Sequence, residues 1–241
     1  MISVAGLTMT LNGKSVLDGI DLKLRDGEVL GITGLNGSGK SVFLKILATV
    51  MGPTAGKIDV SGLDIVKDRK RVRRMIGYMP DASDITGKLT VREYLGYYSS
   101  LYRVKKKDFT VSFDQLTRAF DISVTDREYL SDQSLGLKQK VSLLRSAMHG
   151  PSVLLLDNPE SGMDWKGVDN LKSFIKNSSN GGTTIIVASH SVSLLNSVAH
   201  RIGVLHDAKL RWLFPAGVES QESIHRRIDD LKKGNHGRPA E

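Results

Sequence analysis

Apolar runs of strand length occupy both ends of this chain, and a helical pattern fills its middle. Residues 2–33 read as several short strands. Among them Ile20, Leu22 and Leu24 alternate with Asp21 and Lys23, the pattern of a strand with one buried face. Arg25-Asp26-Gly27 makes a turn before a short buried strand from Glu28 to Thr33. Val42 to Leu47 reads as a helix, and residues 56–60 and 74–79 as further strands.

The period changes between residues 82 and 149. Thr90 with Glu93 three positions on forms a capping box ahead of a helix through Tyr94, Tyr97 and Leu101. Ser134 caps another helix, whose Leu137, Val141, Leu144 and Met148 share one face. Buried strands return at 153–156, 183–188 and 202–206, with a helix near 165–177. Strand–helix–strand alternation implies a parallel sheet with helices on its faces. The helical stretch is then an insertion in an α/β core, and the chain is expected to fold as two lobes. In the tail from Ala216, Ile224, Ile228 and Leu231 mark one amphipathic helix expected to pack on the body. The last six or seven residues are expected to be disordered.

The strand at 28–33 and the helix at 42–47 flank Gly34-Leu35-Asn36-Gly37-Ser38-Gly39-Lys40-Ser41. This fits the phosphate-binding loop pattern, with its required strand before and helix after. Glycines let the backbone curl so that successive N–H groups point at phosphate oxygens. Lys40 is placed to reach the β- and γ-phosphates, the Ser41 hydroxyl to ligate Mg²⁺, and the helix N-terminus to favour the anion. Val153-Leu154-Leu155-Leu156-Asp157 supplies the second Mg²⁺ anchor such a site needs, an apolar strand ending in a carboxylate. Thr184 to Ala188 is a buried strand followed by Ser189 and His190, at the sheet edge where ligands gather.

Composition narrows the chemistry. The 241 residues suffice for a sizeable core. The absence of cysteine excludes disulfides, zinc thiolates and thiol nucleophiles, and suits a reducing compartment. No stretch approaches the ~20 apolar residues of a membrane span, and the N-terminus lacks a secretion signal, so a membrane role is expected through a partner. The net charge of +8 is concentrated in Lys67, Arg69, Lys70, Arg71, Arg73 and Arg74, and in Lys105-Lys106-Lys107. Runs of this kind are most often solvated helix faces. No aromatic residue interleaves the first cluster, so no specific nucleic-acid partner is expected.

Taken in order, these motifs resemble the ATP-binding subunits of ATP-binding cassette (ABC) transporters, over residues 2 to about 214. Gln133-Ser134-Leu135-Gly136-Leu137-Lys138-Gln139-Lys140 is similar to the family's signature helix, Ser161-Gly162-Met163-Asp164 to its D-loop, and His190 to its switch histidine. The resemblance implies an α/β fold: a P-loop NTPase (RecA-like) core with an N-terminal antiparallel β subdomain and a helical subdomain inserted at about 82–149. It implies one ATP-binding domain over 1–215 and a tail over 216–241. Gly34, Leu35, Asn36, Gly37, Ser38, Gly39, Lys40, Ser41 and Val42 would bind ATP, with Ser41, Asp157 and Asp81 around Mg²⁺. Ser134 and Gly136 would act on the ATP of a second ATP-binding subunit, and Asp164 would serve the D-loop. The helical lobe would grip a membrane permease, placing the chain in the cytoplasm at the inner face of the membrane.

Three positions depart from the family pattern. Asn158 stands where the family has its catalytic glutamate; an amide holds a water but does not take its proton. Slow hydrolysis is expected, by the ~10²–10⁴-fold worth of a general base. Glu160 could substitute only by turning back past Pro159. Asp81 replaces the Q-loop glutamine, and Leu11 falls near the adenine-stacking aromatic, offering no π-face. The expectation is therefore an ATP-binding subunit of an exporter, with a non-transport ATP switch as the alternative.

Overall fold

The structure is a computed structural model and describes residues 1–81, 85, 87–124 and 128–232, without the side chains of the last two. In chain order, β1 (Ile2–Leu11), β2 (Lys14–Leu24) and β3 (Val29–Gly34) precede α1 (Lys40–Leu47). Then come β4 (Ala55–Val60), β5 (Leu63–Asp64), α2 (Arg69–Met75) and β6 (Ile76–Met79). Helices α3 (Val91–Leu101), α4 (Lys106–Ala119) and α5 (Leu135–Ala147) follow without an intervening strand among the described residues. The remainder is β7 (Val153–Asp157), α6 (Trp165–Asn180), β8 (Thr184–Ala188), α7 (Val192–Val198), β9 (Arg201–His206), β10 (Lys209–Pro215) and α8 (Gln221–Lys232).

Two sheets result. The first is antiparallel, in the order β2-β1-β4-β5. The second has the order β10-β9-β3-β8-β7-β6 and is parallel except for β10 at its edge. β3, β7 and β8 are buried along their whole length. That is why they read as unbroken apolar runs: both sheet faces are covered. Their side chains divide by parity. Leu155 and Ile186 face a core filled by Phe43, Leu44, Ile46 and Leu47 of α1 and the apolar side of the antiparallel sheet. Leu154, Leu156, Ile185 and Val187 face a second core with α5, α6 and α7.

The three consecutive helices belong to that second core through Tyr94, Leu95, Phe113, Val141 and Leu144. Thr90 caps α3 with the full box: the Glu93 N–H donates to Thr90 Oγ1 at 3.3 Å, and the Thr90 N–H to Glu93 Oε2 at 2.9 Å. Tyr97 and Leu101 are exposed, so α3 buries a narrower face than its apolar residues suggest. On α5, Val141, Leu144 and Met148 at its C-cap are buried and Leu137 half-buried.

One expected strand is corrected. Residues 74–79 do not form a single strand; Arg74 and Met75 end α2, and sheet pairing begins at Ile76, opposite Val153. The basic run favours a helix because Arg69 and Arg73 both reach back to Thr49 after α1. Arg69 donates from Nε and Nη2 to its carbonyl at 3.1 and 2.7 Å, and Arg73 from Nη2 at 3.1 Å. These two arginines share one carbonyl just past a helix end. The tail forms α8, with Ile224 and Ile228 buried against Val192 and Val204 and in contact with half-buried Leu35. The side chain of Leu231 and the final residues lie outside the described residues.

Candidate functional site

β3 ends at the centre of the parallel sheet, where the chain turns through residues 34–39 into α1. Two glycines are demanded there. A Cβ on Gly34 would lie 2.2 Å from the Leu205 carbonyl, and one on Gly39 would lie 2.8 Å from the Val16 carbonyl. Gly39 also takes the left-handed conformation, with φ of 102°, as it caps α1. The side chain of Lys40 lies inside this curl and donates to the carbonyls of Gly34 and Leu35 at 2.9 and 3.1 Å. Burial lowers its pKa, while Asp157 and Asp81 act to raise it.

The loop borders an open hollow of about 260 Å³. Asn36, Gly37, Ser38, Gly39, Lys40, Ser41 and Val42 line it, and Asp81, Asn158 and His190 close it from β6, β7 and β8. Three strand ends thus deliver three polar side chains to one helix N-terminus. Asp157 sits beneath, 1% exposed, and neither carboxylate oxygen makes a hydrogen bond among the described residues. Burial raises its pKa; the nearby Ser41 hydroxyl and the cation of Lys40 oppose that, and Asp81 adds to it. A buried carboxylate with free oxygens beside a hydroxyl and a second carboxylate is a fitting donor set for a hard divalent cation. His190 is exposed, and its pKa is lowered, first by partial burial and then by Lys40, with Asp81 and the Gly34 carbonyl opposing.

The backbone at Asn158 is left-handed, with φ of 46°. Asparagine tolerates this better than most residues with a side chain. Its N–H donates to the Ala188 carbonyl at 2.8 Å, and its carbonyl accepts from Gln139 Nε2 at 3.4 Å. The same Gln139 amide donates to the Asp81 carbonyl at 3.4 Å, so α5 holds both flanks of the hollow.

Ser134, Gly136 and Asp164 do not line the hollow. Ser134 caps α5, accepting the Leu137 N–H at 3.2 Å, and is exposed. Gly136 packs against the turn before α6: a Cβ there would lie 2.5 Å from the Gly162 carbonyl. Asp164 caps α6 by accepting the Gly167 N–H at 2.8 Å. Leu11 is half-buried against the core and lines neither this hollow nor the adjoining one. Val16 borders both, and sequence reasoning missed it. No motif marks Val16; only the close approach of β2 to Gly39 brings it there. Gln139 was missed as a bridge for a similar reason. A larger hollow of about 700 Å³ lies at the opposite, N-terminal edge of β3 and β9. It holds the Arg201–Glu28 ion pair and none of the motifs, so size does not identify the site.

Fold and site together define a nucleotide-binding α/β protein of the phosphate-loop class. A family model described as ABC transporter matches residues 17–161, and the chain belongs to that family, as an ATP-binding cassette. It is 31% identical over 204 residues to the daunorubicin resistance ATP-binding protein DrrA3 of Streptomyces coeruleorubidus, covering 85% of this chain and 65% of that protein. It is 26% identical over 236 residues to the bacitracin transport ATP-binding protein BcrA of Bacillus licheniformis, covering 98% and 72%. A dimeric ATP-binding cassette solved in a post-hydrolysis state with ADP and Pi superposes with a TM-score of 0.80 at 21% identity, over 90% of this chain and 99% of that one. That likeness is one of fold. Among the described residues no helix is long and apolar enough to cross a membrane.

Proposed function

We propose that this chain is the ATP-binding subunit of an exporter, binding Mg-ATP in the hollow at residues 36–42 and hydrolysing it slowly. The observation that carries the reading is the convergence of Lys40, Ser41, Asp157, Asp81, Asn158 and His190 around one helix N-terminus. Backbone N–H groups and Lys40 would take the phosphates. Ser41, Asp157 and Asp81 would hold Mg²⁺, which supplies charge neutralisation on the phosphate oxygens when bound. Val16, which borders the hollow, and Leu11 would offer apolar contacts for the base. Asn158 would hold the attacking water without accepting its proton, and His190 would face the terminal phosphate.

A second cassette would complete the assembly. The exposed Ser134 at the N-terminus of α5, away from its own hollow, suits a phosphate bound to another subunit, with Gly136 and Asp164 fixing the turn beside it. Export is inferred from relatives named for daunorubicin resistance and bacitracin transport, and a permease partner at the inner membrane face from membership of the ABC transporter family. The test is steady-state ATPase activity of the pure chain and of Asn158→Glu. Supplying the base should raise turnover by ~10²–10⁴-fold, reduced by the left-handed backbone at that position, which costs most residues ~1–2 kcal/mol. Brisk turnover in the unaltered chain would falsify the weakened-site reading. Co-purification with a membrane protein separates a transporter subunit from a free ATP switch.

A further inference from the structure

The segments that carry Asn158 and His190 to the hollow leave adjacent strands. β7 and β8 end side by side, with Asp157 opposite Ala188. Beyond that pair a side-chain contact crosses between the two segments: the Ser189 hydroxyl donates to Glu160 Oε1. Ser189 is fully buried, and its hydroxyl oxygen also accepts the Ser191 N–H at 2.9 Å. Its own N–H donates to the Ile32 carbonyl at 3.0 Å. Ser191 in turn caps α7, accepting the Leu194 N–H at 3.2 Å. The residues on both sides of His190 are therefore fixed, and Ser189 is the node that ties them to the β7 segment.

Glu160 is an expensive choice for that tie. Its second oxygen, Oε2, is buried and makes no hydrogen bond among the described residues. Removing an acceptor from water without a partner costs free energy, more so for a charged one. Burial raises the pKa of this carboxyl, the Ser189 hydroxyl and the Glu160 N–H oppose that, and Asp81 and Asp157 add to the rise. Glu160 does turn back past Pro159, yet it does not line the hollow, so it is not placed to take a proton from a water there.

We propose that Glu160 is a positioning residue for His190: through the Ser189 hydroxyl it locks the turn that presents the histidine to the end of β7, so that Asn158 and His190 keep one mutual geometry. In a site without a base, orientation of the remaining groups carries more of the rate, and a displacement of ~1 Å is enough to cost ~10²-fold. This inference rests on the nucleotide-site reading above, and its test reports on the two separately.

The variants are Glu160→Leu, which removes the acceptor, Glu160→Gln, which keeps a carbonyl acceptor without the charge, and Ser189→Ala. Two readouts are needed. The first is single-turnover hydrolysis of prebound Mg-ATP, beside an equilibrium titration of ATP affinity. Glu160→Leu and Ser189→Ala should each slow turnover by ~10-fold, with affinity unchanged within ~2-fold, and the double variant should be no slower than either single one. Glu160→Gln should stay near the parent rate. The second readout needs no nucleotide. In the free protein, the ring resonances of His190 should shift in Glu160→Leu and Ser189→Ala and hold in Glu160→Gln, while those of His149 and His200 stay in place. A Glu160→Gln variant as slow as Glu160→Leu would make the charge itself responsible and overturn the positioning role. So would additive effects of the two single variants, or an unmoved His190 spectrum. Absence of ATP binding would count against the nucleotide site alone, leaving the spectra to decide on Glu160.

Discussion

Gly136 shows how one hydrogen in place of a methyl group lets two segments of the chain approach closely. Its neighbour is a backbone carbonyl, that of Gly162, 2.5 Å from where a Cβ would stand. A rigid neighbour cannot swing away as a side-chain tip can. Gly136→Ala should therefore destabilise the protein by ~1–3 kcal/mol, lowering the melting temperature by several degrees. Gly52→Ala is the control, since a Cβ there meets nothing within 4 Å and the backbone is not left-handed. Equal melting temperatures for the two variants would contradict the close approach. A second residue-scale prediction concerns acid. Burial pushes the His149 pKa down to about 4, against the pull of the Ile76 carbonyl, and Tyr102 stacks on the ring at 3.8 Å between centroids. The folded state thus keeps His149 neutral where the unfolded chain, with a pKa near 6.5, binds a proton. Stability from this group is full above pH ~6.5 and is lost as pH falls from there toward 4. His149→Phe should flatten the decline in stability over that window, as read by urea unfolding at several pH values.

At the scale of elements, α8 joins the tail to the nucleotide loop. Ile224 and Ile228 are buried on Val192 and Val204, and Leu35 of the phosphate loop packs against the same cluster. Asn196 anchors the approach, its amide donating to the Glu219 carbonyl at 3.0 Å and its carbonyl accepting the Gly217 N–H at 2.8 Å. Each isoleucine gains roughly 1.5–3 kcal/mol from burial, part of which the ordering of the helix offsets. A chain ending at residue 217 should melt at lower temperature and bind ATP more weakly, because Leu35 loses its packing. An unchanged affinity would show that the loop holds its shape without α8. Helix α2 makes a related point about charge. Its basic run is solvent-facing, yet Arg69 and Arg73 are also engaged with Thr49, so a charge cluster can be structural in part.

For the whole molecule, ligand linkage gives the clearest expectation. Anything that binds the folded chain alone stabilises it, by ~2.7 kcal/mol at a concentration 100 times its dissociation constant. ATP with Mg²⁺ should raise the melting temperature more than ATP with a chelator, because Asp157 gains a partner for its free oxygens only when the ion is present. Asp157→Asn should shrink the difference between the two conditions, leaving the part that Ser41 and Asp81 supply. An undiminished Mg²⁺ effect in that variant would remove Asp157 from the ligand set.

Much of this was legible along the chain because the signals are local. Gly34 to Ser41, the apolar run ending in Asp157, and the Thr90 capping box each specify their structure within a few residues. The strand–helix alternation likewise implied the parallel sheet. A misreading came where the deciding contact is distant in sequence. Residues 74–75 looked like strand because they adjoin apolar residues, but arginine bonds to Thr49 draw them into α2.

The sequence by itself determined which residues could bind phosphate and metal, and that an amide, Asn158, follows Asp157, since those follow from residue type and short-range spacing. Tertiary structure alone decided that Val16 borders the hollow, that Gln139 ties Asp81 to Asn158, and that Glu160 turns inward to Ser189. These contacts join residues as many as 58 positions apart along the chain. They depend on strand order and on side-chain direction at strand ends, and no local pattern encodes either.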